Sequence, residues 1–225
     1  MQSTPSLQSA SLFGVGLRER KRQETVRRIA DTALRMFVDR GFEAVTIAEV
    51  AEAADVAVNT VYNHFRVKED LVLPPSEASA GRLAGIVRAR GTGVSAAHAV
   101  LDHLRGEIRQ RSRSIGLSPG FGRVLPMMLA APTLAARLQD LGQQMVAELA
   151  DLLIAETGAA QGDPVPGLVA AQIGWVHSLL YGEIGKRTVG GEASDDIAEA
   201  ALTLLDAVEG LLSEQVLTYA IRKDT

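Results

Sequence analysis

The 225-residue chain contains no cysteine. That absence excludes disulfide frameworks, thiolate zinc sites and cysteine nucleophiles together, and it fits a reducing cytoplasm. Aromatic residues are only 4% of the chain, and lysine is scarce: 19 of the 23 basic residues are arginine. No uncharged run suits a membrane. The longest, between Asp163 and Glu183, has spanning length but is broken by Pro164, Pro166, Gln172, His177 and glycines, so a buried helix is expected there. The N-terminus has no basic n-region and no signal-peptide pattern. No G-x-S-x-G, P-loop or H-E-x-x-H pattern occurs, and His98 and His103 fall on different helix faces. No enzymatic activity, cofactor, metal or membrane partner is therefore expected, and the chain is placed in the cytoplasm.

What remains is a globular composition, with 47% hydrophobic and 22% charged residues and a net charge of −4. The charge is unevenly spread. Residues 18–40 carry 8 basic against 4 acidic residues, whereas residues 71–225 carry 13 against 17. A basic segment on an acidic chain fits a local polyanion footprint, and a solvated helix face gives the same pattern.

Helical periodicity runs throughout, so the fold class is all-α. Residues 1–17, rich in Ser and Gln, read as a disordered arm. The first helix is expected over 19–40, with Val26, Ile29, Ala30, Ala33, Leu34 and Phe37 on one stripe and Gly41 as its C-cap. Thr46 and Glu49 form a T-x-x-E capping box that opens a second, short helix ending at Asp55. A third covers 57–65. A fourth starts at 68–71, is interrupted by Pro74-Pro75 as a candidate hinge, and resumes over 76–90. Further helices are expected at 94–113, 118–130, 132–157, 166–187 and 194–220, with Pro119 and Pro132 in first turns and Ser194 as an N-cap.

Two short helices joined by residues 54–57 have helix-turn-helix dimensions. At about 100° per residue, Val58, Val61, Tyr62 and Phe65 share one arc, while Asn59, Thr60, Asn63 and His64 lie opposite. An asparagine can bond adenine N6 and N7 together, and Lys68 stands just beyond, placed for a phosphate. A solvated polar face is the alternative reading of the same spacing.

The run Gly41-Phe42, Thr46-Ile-Ala-Glu-Val-Ala, Val56-Ala-Val-Asn-Thr-Val-Tyr-Asn-His-Phe and Lys68-Glu-Asp-Leu resembles the DNA-binding domain of TetR-family regulators over residues 20–71. The resemblance implies phosphate contacts from Thr46, Thr60, Tyr62, His64 and Lys68, and base contacts from Val58, Asn59 and Asn63. The chain departs from the family pattern at Asp55, where Gly is usual, at Ala57, where Ser is usual, and at Asn59, where a small residue is frequent.

The organisation expected is therefore an arm (1–17), a three-helix DNA-binding domain (18–71) and a helical effector-binding and dimerisation domain (72–225). The resemblance implies a four-helix dimer interface from the last two helices. The i+4 ridge Ala170, Gly174, Ser178 and Gly182 and the stripe Leu204, Leu205, Val208, Leu211 and Leu212 supply candidate residues; an intramolecular core would use the same pattern. It also implies an effector cavity, for which Phe121, Leu125, Met127, Met128, Trp175, His177 and Tyr181 are candidates, with core packing as the alternative for each. Arg105, Arg109 and Arg113 recur at i+4 as an anion-attracting or simply solvated face. The reading is a homodimeric DNA-binding transcriptional regulator, a repressor released from a pseudo-palindromic operator by a small, largely apolar effector. An activator or architectural DNA-binding protein of the same fold is the alternative, and an all-α carrier or enzyme the remote one.

Overall fold

A computed structural model describes residues 8–73, 79–117 and 121–224. Among them are ten α-helices and no strand. They are α1 (Gln8–Arg40), α2 (Ile47–Ala53), α3 (Val58–His64), α4 (Arg82–Ala89), α5 (Ala96–Arg109), α6 (Phe121–Ala130), α7 (Pro132–Thr157), α8 (Val165–Val189), α9 (Ser194–Leu211) and α10 (Glu214–Leu217). A 3-10 turn over Lys68–Leu71 follows α3. The chain divides into two units, Met1–Pro74 and Pro75–Thr225. Pro74-Pro75, the expected hinge, and Ser118-Pro119, the expected helix start, lie outside the described residues.

In the first unit α1 begins at Gln8, so residues 8–17 are helical rather than the arm expected. Gly14 and Gly16 each cost a helix about 1 kcal/mol, but no proline follows Pro5 to stop it, and Gln, Ala and Leu favour it. Ile29, Ala33 and Phe37 of α1 are fully buried. Val50, Ala51 and Ala54 from α2 and its cap, and Val61 and Phe65 from α3 and its cap, are buried too, with α1 packed on α2 and α2 on α3. The Phe37 and Phe42 rings pack edge to face at 5.0 Å. Gly41 reverses the chain with φ +87° and donates its N–H to Phe37 O at 2.8 Å.

The second unit is built on the long helices α7 and α8, with α4, α5, α6 and α9 packed around them. Its core includes Leu83, Leu104, Ile108, Leu149, Leu153, Leu180, Ile184, Leu205 and Val208. The expected last helix stops early. Leu212 leaves the helix at ψ 139°, Ser213 caps a separate α10, and residues beyond it turn back. Buried Arg90 holds that tail, donating to Ala220 O at 2.8 Å and to Glu156 at 2.6 Å. Ser194 is not the N-cap of α9. Ala193 is, and the Ser194 hydroxyl donates instead to Leu117 O at 3.1 Å.

The small-residue ridge of α8 does not lie on one face. A strict i+4 repeat advances about 40° per step against a helix of 3.6 residues per turn. Ala170 and Gly174 are therefore buried, and a Cβ on Gly174 would collide with Val146 of α7. Ser178 and Gly182 have rotated out to solvent, and a Cβ on Gly182 meets nothing within 4 Å. The two glycines should thus respond oppositely to alanine. Gly174→Ala is expected to destabilise by about 1–3 kcal/mol through overpacking against a stiff valine. Gly182→Ala is expected to stabilise by about 0.5–1 kcal/mol. Urea unfolding of both variants checks the sign of each.

Candidate functional site

The second helix-turn-helix element is set by local chemistry. The Thr46 hydroxyl accepts from the Glu49 N–H at 3.2 Å, and the Glu49 carboxylate accepts from the Thr46 N–H at 2.7 Å. Arg40 donates to the same carboxylate at 2.7 Å, tying the end of α1 to the start of α2. These bonds, first the Thr46 backbone and then Arg40, hold the Glu49 carboxyl down at about 2. Both polar groups of Thr46 are thus engaged, and a phosphate at Thr46 would have to displace Glu49.

The turn between α2 and α3 runs through Asp55 at φ +52°, with the Val56 N–H donating to Ala51 O at 3.0 Å. Aspartate adopts this left-handed geometry more readily than most residues other than glycine. Ala57 caps α3 without any side-chain hydrogen bond, a loss of about 1 kcal/mol relative to Ser. The helix is held by its other end and its packed side.

In α3, Val61 is fully buried, and Phe65 just past its end is also buried. The packed arc is narrower than the spacing predicts, because a seven-residue helix rests on one i+4 line. Val58 and Tyr62 are released to solvent, Tyr62 being 51% exposed. Asn59 and Asn63 are exposed, and Thr60 is half-buried. One side of α3 therefore offers two amides and a phenol, with an apolar Val58 beside them. His64 is half-buried, and its Nδ1 is enclosed with no hydrogen-bond partner among the described residues. After α3, the buried Asp70 carboxylate accepts from the backbone N–H groups of Arg66 (3.1 Å) and Val67 (3.3 Å), fixing the approach of Lys68. The Lys68 ammonium sits 4.4 Å over the Phe42 ring and 5.6 Å over Phe37. Lys68 is thus a strut between the turn and α1 as well as an available cation. Sequence reading gave Asp70 no role of its own, although it lies within the Lys68-Glu-Asp-Leu run that carries the resemblance.

In the second unit, the aromatic and sulfur candidates do not converge. Trp175 is 52% exposed on α8. Met128 is buried on α6, Leu125 and Met127 are half-buried there, and the side chain of Phe121 lies outside the described residues. His177 and Tyr181 do come together, stacked with ring centroids 4.3 Å apart. They stand beside a pair that sequence reading missed. Arg82 of α4 donates to both Glu107 oxygens of α5 at 2.7 Å and to the Tyr181 hydroxyl at 3.2 Å. The Ser114 hydroxyl donates to Glu107 at 2.6 Å.

Burial alone would raise the Glu107 carboxyl, but the bonds from Ser114 and Arg82 outweigh it and hold it low. Burial, and then the Arg82 charge, push His177 down to about 4, so the ring is neutral at pH 7. Burial pushes the Tyr181 hydroxyl up to about 12. Two atoms of this cluster, Arg82 Nε and His177 Nε2, are buried and meet no hydrogen-bond partner among the described residues. Such atoms cost free energy unless something outside the protein meets them. Arg105, by contrast, is tied to α9 by Asp206 at 2.7 Å and by Glu209. Arg109 is exposed, and the Arg113 side chain lies outside the described residues.

Residues 29–73 match the family described as bacterial regulatory proteins, tetR family. The chain carries a TetR-family DNA-binding domain. It is 29% identical over 163 residues to the transcriptional regulator TcmR of Streptomyces glaucescens, covering 71% of this chain and 72% of TcmR. It is 39% identical over 64 residues to the transcriptional regulator AcrR of Shigella flexneri, covering 27% of this chain and 30% of AcrR. Among solved structures, SmeT in complex with triclosan overlays 90% of this chain and 98% of its own at a TM-score of 0.57 and 13% identity. NalD, the secondary repressor of the MexAB-OprM efflux pump in Pseudomonas aeruginosa, overlays 84% and 97% at 0.51 and 15% identity. At these identities the structures show a shared fold. The protein is a DNA-binding transcriptional regulator with an N-terminal helix-turn-helix and a helical C-terminal unit. No helix among the described residues is long and apolar enough to cross a membrane.

Proposed function

We propose that this TetR-family protein is a homodimeric repressor, and that a small molecule bound in the regulatory unit releases it from a pseudo-palindromic operator. The observation that carries the DNA reading is α3, where Val61 and Phe65 are locked in the core while Asn59, Asn63 and Tyr62 are presented outward. Asn59, Asn63 and Val58 read base edges, and Tyr62, Thr60, His64 and Lys68 hold phosphates. Thr46 is a cap first.

The effector site is assigned to the cluster of Arg82, Glu107, His177 and Tyr181 rather than to Trp175. The two unpartnered buried atoms favour an effector that presents polar groups to them from an otherwise apolar body. Binding there favours a dimer state that no longer matches the operator, and affinity falls by the differential binding energy. The dimer face is assigned to the outward stripes of α8 (Leu168, Trp175, Gly182) and α9 (Leu204, Ala207, Leu211).

Selecting bound duplexes from a random library, with the purified protein at about 150 mM salt, tests the reading. An enriched inverted repeat is expected, and excess random duplex should not displace it. Enrichment of no sequence, or equal competition by random duplex, sinks the operator reading. On that operator, Asn63→Ala should lose about 1–3 kcal/mol while keeping its non-specific affinity. Lys68→Ala should weaken every duplex and lower the salt slope by about one. A uniform loss for Asn63→Ala, or an unchanged slope for Lys68→Ala, removes that residue from its role.

A further inference from the structure

The first two turns of α1 that carry described side chains do not belong to the helix-turn-helix core. Residues 19–24 are exposed on every side, whereas burial begins at Thr25 and Val26, which are half-buried, and becomes complete at Ile29. The family match begins only at residue 29, so this segment lies outside it. Between residues 19 and 28 stand Arg20, Lys21, Arg22, Arg27 and Arg28 against Glu19 and Glu24. Arg22 is 3.6 Å from Glu19 in an exposed pair. Arg20, Lys21, Arg27 and Arg28 are exposed, and none makes an ion pair among the described residues.

A helix that is polar on all sides and packs against nothing has little to hold it in isolation. Its charge is not balanced either. At about 100° per residue, Arg20, Lys21, Arg27 and Arg28 fall on one arc of about 120°, with the single acidic Glu24 among them, on the side of α1 opposite Ile29 and Ala33. They span roughly 12 Å of helix axis at 1.5 Å per residue. Over roughly that length one DNA strand presents three or four phosphates.

We propose that Arg20, Lys21, Arg27 and Arg28 form a second phosphate-binding surface for duplex DNA, separate from α3. The inference rests on the DNA-binding reading above. The partner is taken to be DNA because the basic face continues the helix that supports α2 and α3, within the same unit. The contact carries no sequence information. It supplies affinity and salt dependence, and α3 supplies selection.

The test uses the full chain and a random-sequence duplex of about 30 base pairs, with affinity measured by fluorescence anisotropy across about 50–200 mM salt. The variant Arg20→Gln/Lys21→Gln/Arg27→Gln/Arg28→Gln is compared with wild type. Its salt slope should fall by about three, so that wild type loses roughly 50-fold more affinity across that range than the variant does. The charge-keeping variant Arg20→Lys/Arg27→Lys/Arg28→Lys should retain the wild-type slope. An unchanged slope in the glutamine variant overturns the inference while leaving the α3 reading intact. So does an unchanged DNA slope accompanied by lost binding to phosphatidylglycerol vesicles, which would reassign the face to an anionic lipid surface. Wild type binding no duplex at all overturns the DNA reading and this inference together. Because the four side chains are exposed, helicity measured by circular dichroism should match wild type. If it does not, the pair Arg27→Gln/Arg28→Gln carries the same test with a slope change of about two.

Discussion

Replacing Arg82 with alanine is expected to cost the folded state about 3 kcal/mol, the largest effect of any single substitution considered for stability. The argument is one of stranded charge. Arg82 donates to both oxygens of Glu107, and the two side chains are 17% and 13% exposed. Removing one member of such a pair leaves an uncompensated charge in a poorly solvated place, and losses of 3–5 kcal/mol are typical where burial is complete. The residual exposure puts this pair at the lower end. The Tyr181 hydroxyl loses its donor as well. In a chain of this length the melting temperature should fall by roughly 10 °C. Adding Glu107→Gln to Arg82→Ala should recover much of the loss, because the stranded charge is then gone. If the double variant is no more stable than Arg82→Ala, the pair is not the source of the effect.

The same cluster fixes the acid limb of the stability profile. His177 has its folded value depressed to about 4 from 6.5, so on acidification the unfolded chain takes its proton first. Stability is then lost as pH falls between those values. Glu107, also held low, adds to the loss as pH falls through the carboxylate range. Both contributions have the same sign, so the folded state weakens steadily below pH 6.5. Meeting His177 Nε2 is one way for an effector to be recognised, and a neutral ring leaves that nitrogen free either to donate or to accept.

Local chemistry made the first unit legible. The Thr46–Glu49 box, the Gly41 reversal and the alternation of Val61 and Phe65 with Asn59 and Asn63 depend on residues within a few positions of each other. The structure builds the box and the reversal, and of the expected packed arc it keeps Val61 and Phe65 while releasing Val58 and Tyr62. Helices α7 and α8 were legible for the same reason, being long and bounded by Pro132, Gly158, Pro164 and Gly190. What was not legible depends on residues far apart. Arg82 and Glu107 are separated by 25 positions and Arg90 and Ala220 by 130, and no periodicity joins them. The end of α9 was missed because Leu211, Leu212 and Leu217 continue an apolar pattern through Ser213, where the backbone leaves the helix to let α10 fold back. Trp175, the only tryptophan, is one of the effector-cavity candidates in the sequence, and the structure leaves it half exposed on α8. The i+4 ridge failed through its own 40° drift, which hides Ala170 and Gly174 beneath α7 and frees Gly182.

That drift also bears on which residues are open to the proposed dimer. Leu205 and Val208 are buried in their own unit's core, so they are unavailable to a partner. The outward stripes are left. On α8 they carry Leu168 at 59% exposure and Trp175 at 52%, and on α9 Leu211 at 83%. Large apolar side chains so exposed on the two C-terminal long helices have a physical use when a second copy covers them. The double variant Trp175→Glu/Leu211→Glu is therefore expected to weaken self-association at least roughly a thousandfold, about 4 kcal/mol. The size follows from symmetry. A two-fold interface contains each substitution twice, so four carboxylates would have to be desolvated without partners. The folded monomer should be nearly untouched, since both side chains are outside its core and exposed substitutions usually change stability by under 1 kcal/mol. Operator affinity should fall with the dimer, because each half-site then binds alone. Sedimentation velocity at micromolar protein reads the assembly directly, and Leu129→Glu, at an exposed apolar position on α6, is the control that should leave it unchanged. A dimer that persists undiminished in the double variant would place the interface elsewhere on the regulatory unit and leave the exposure of Trp175 and Leu211 to another partner.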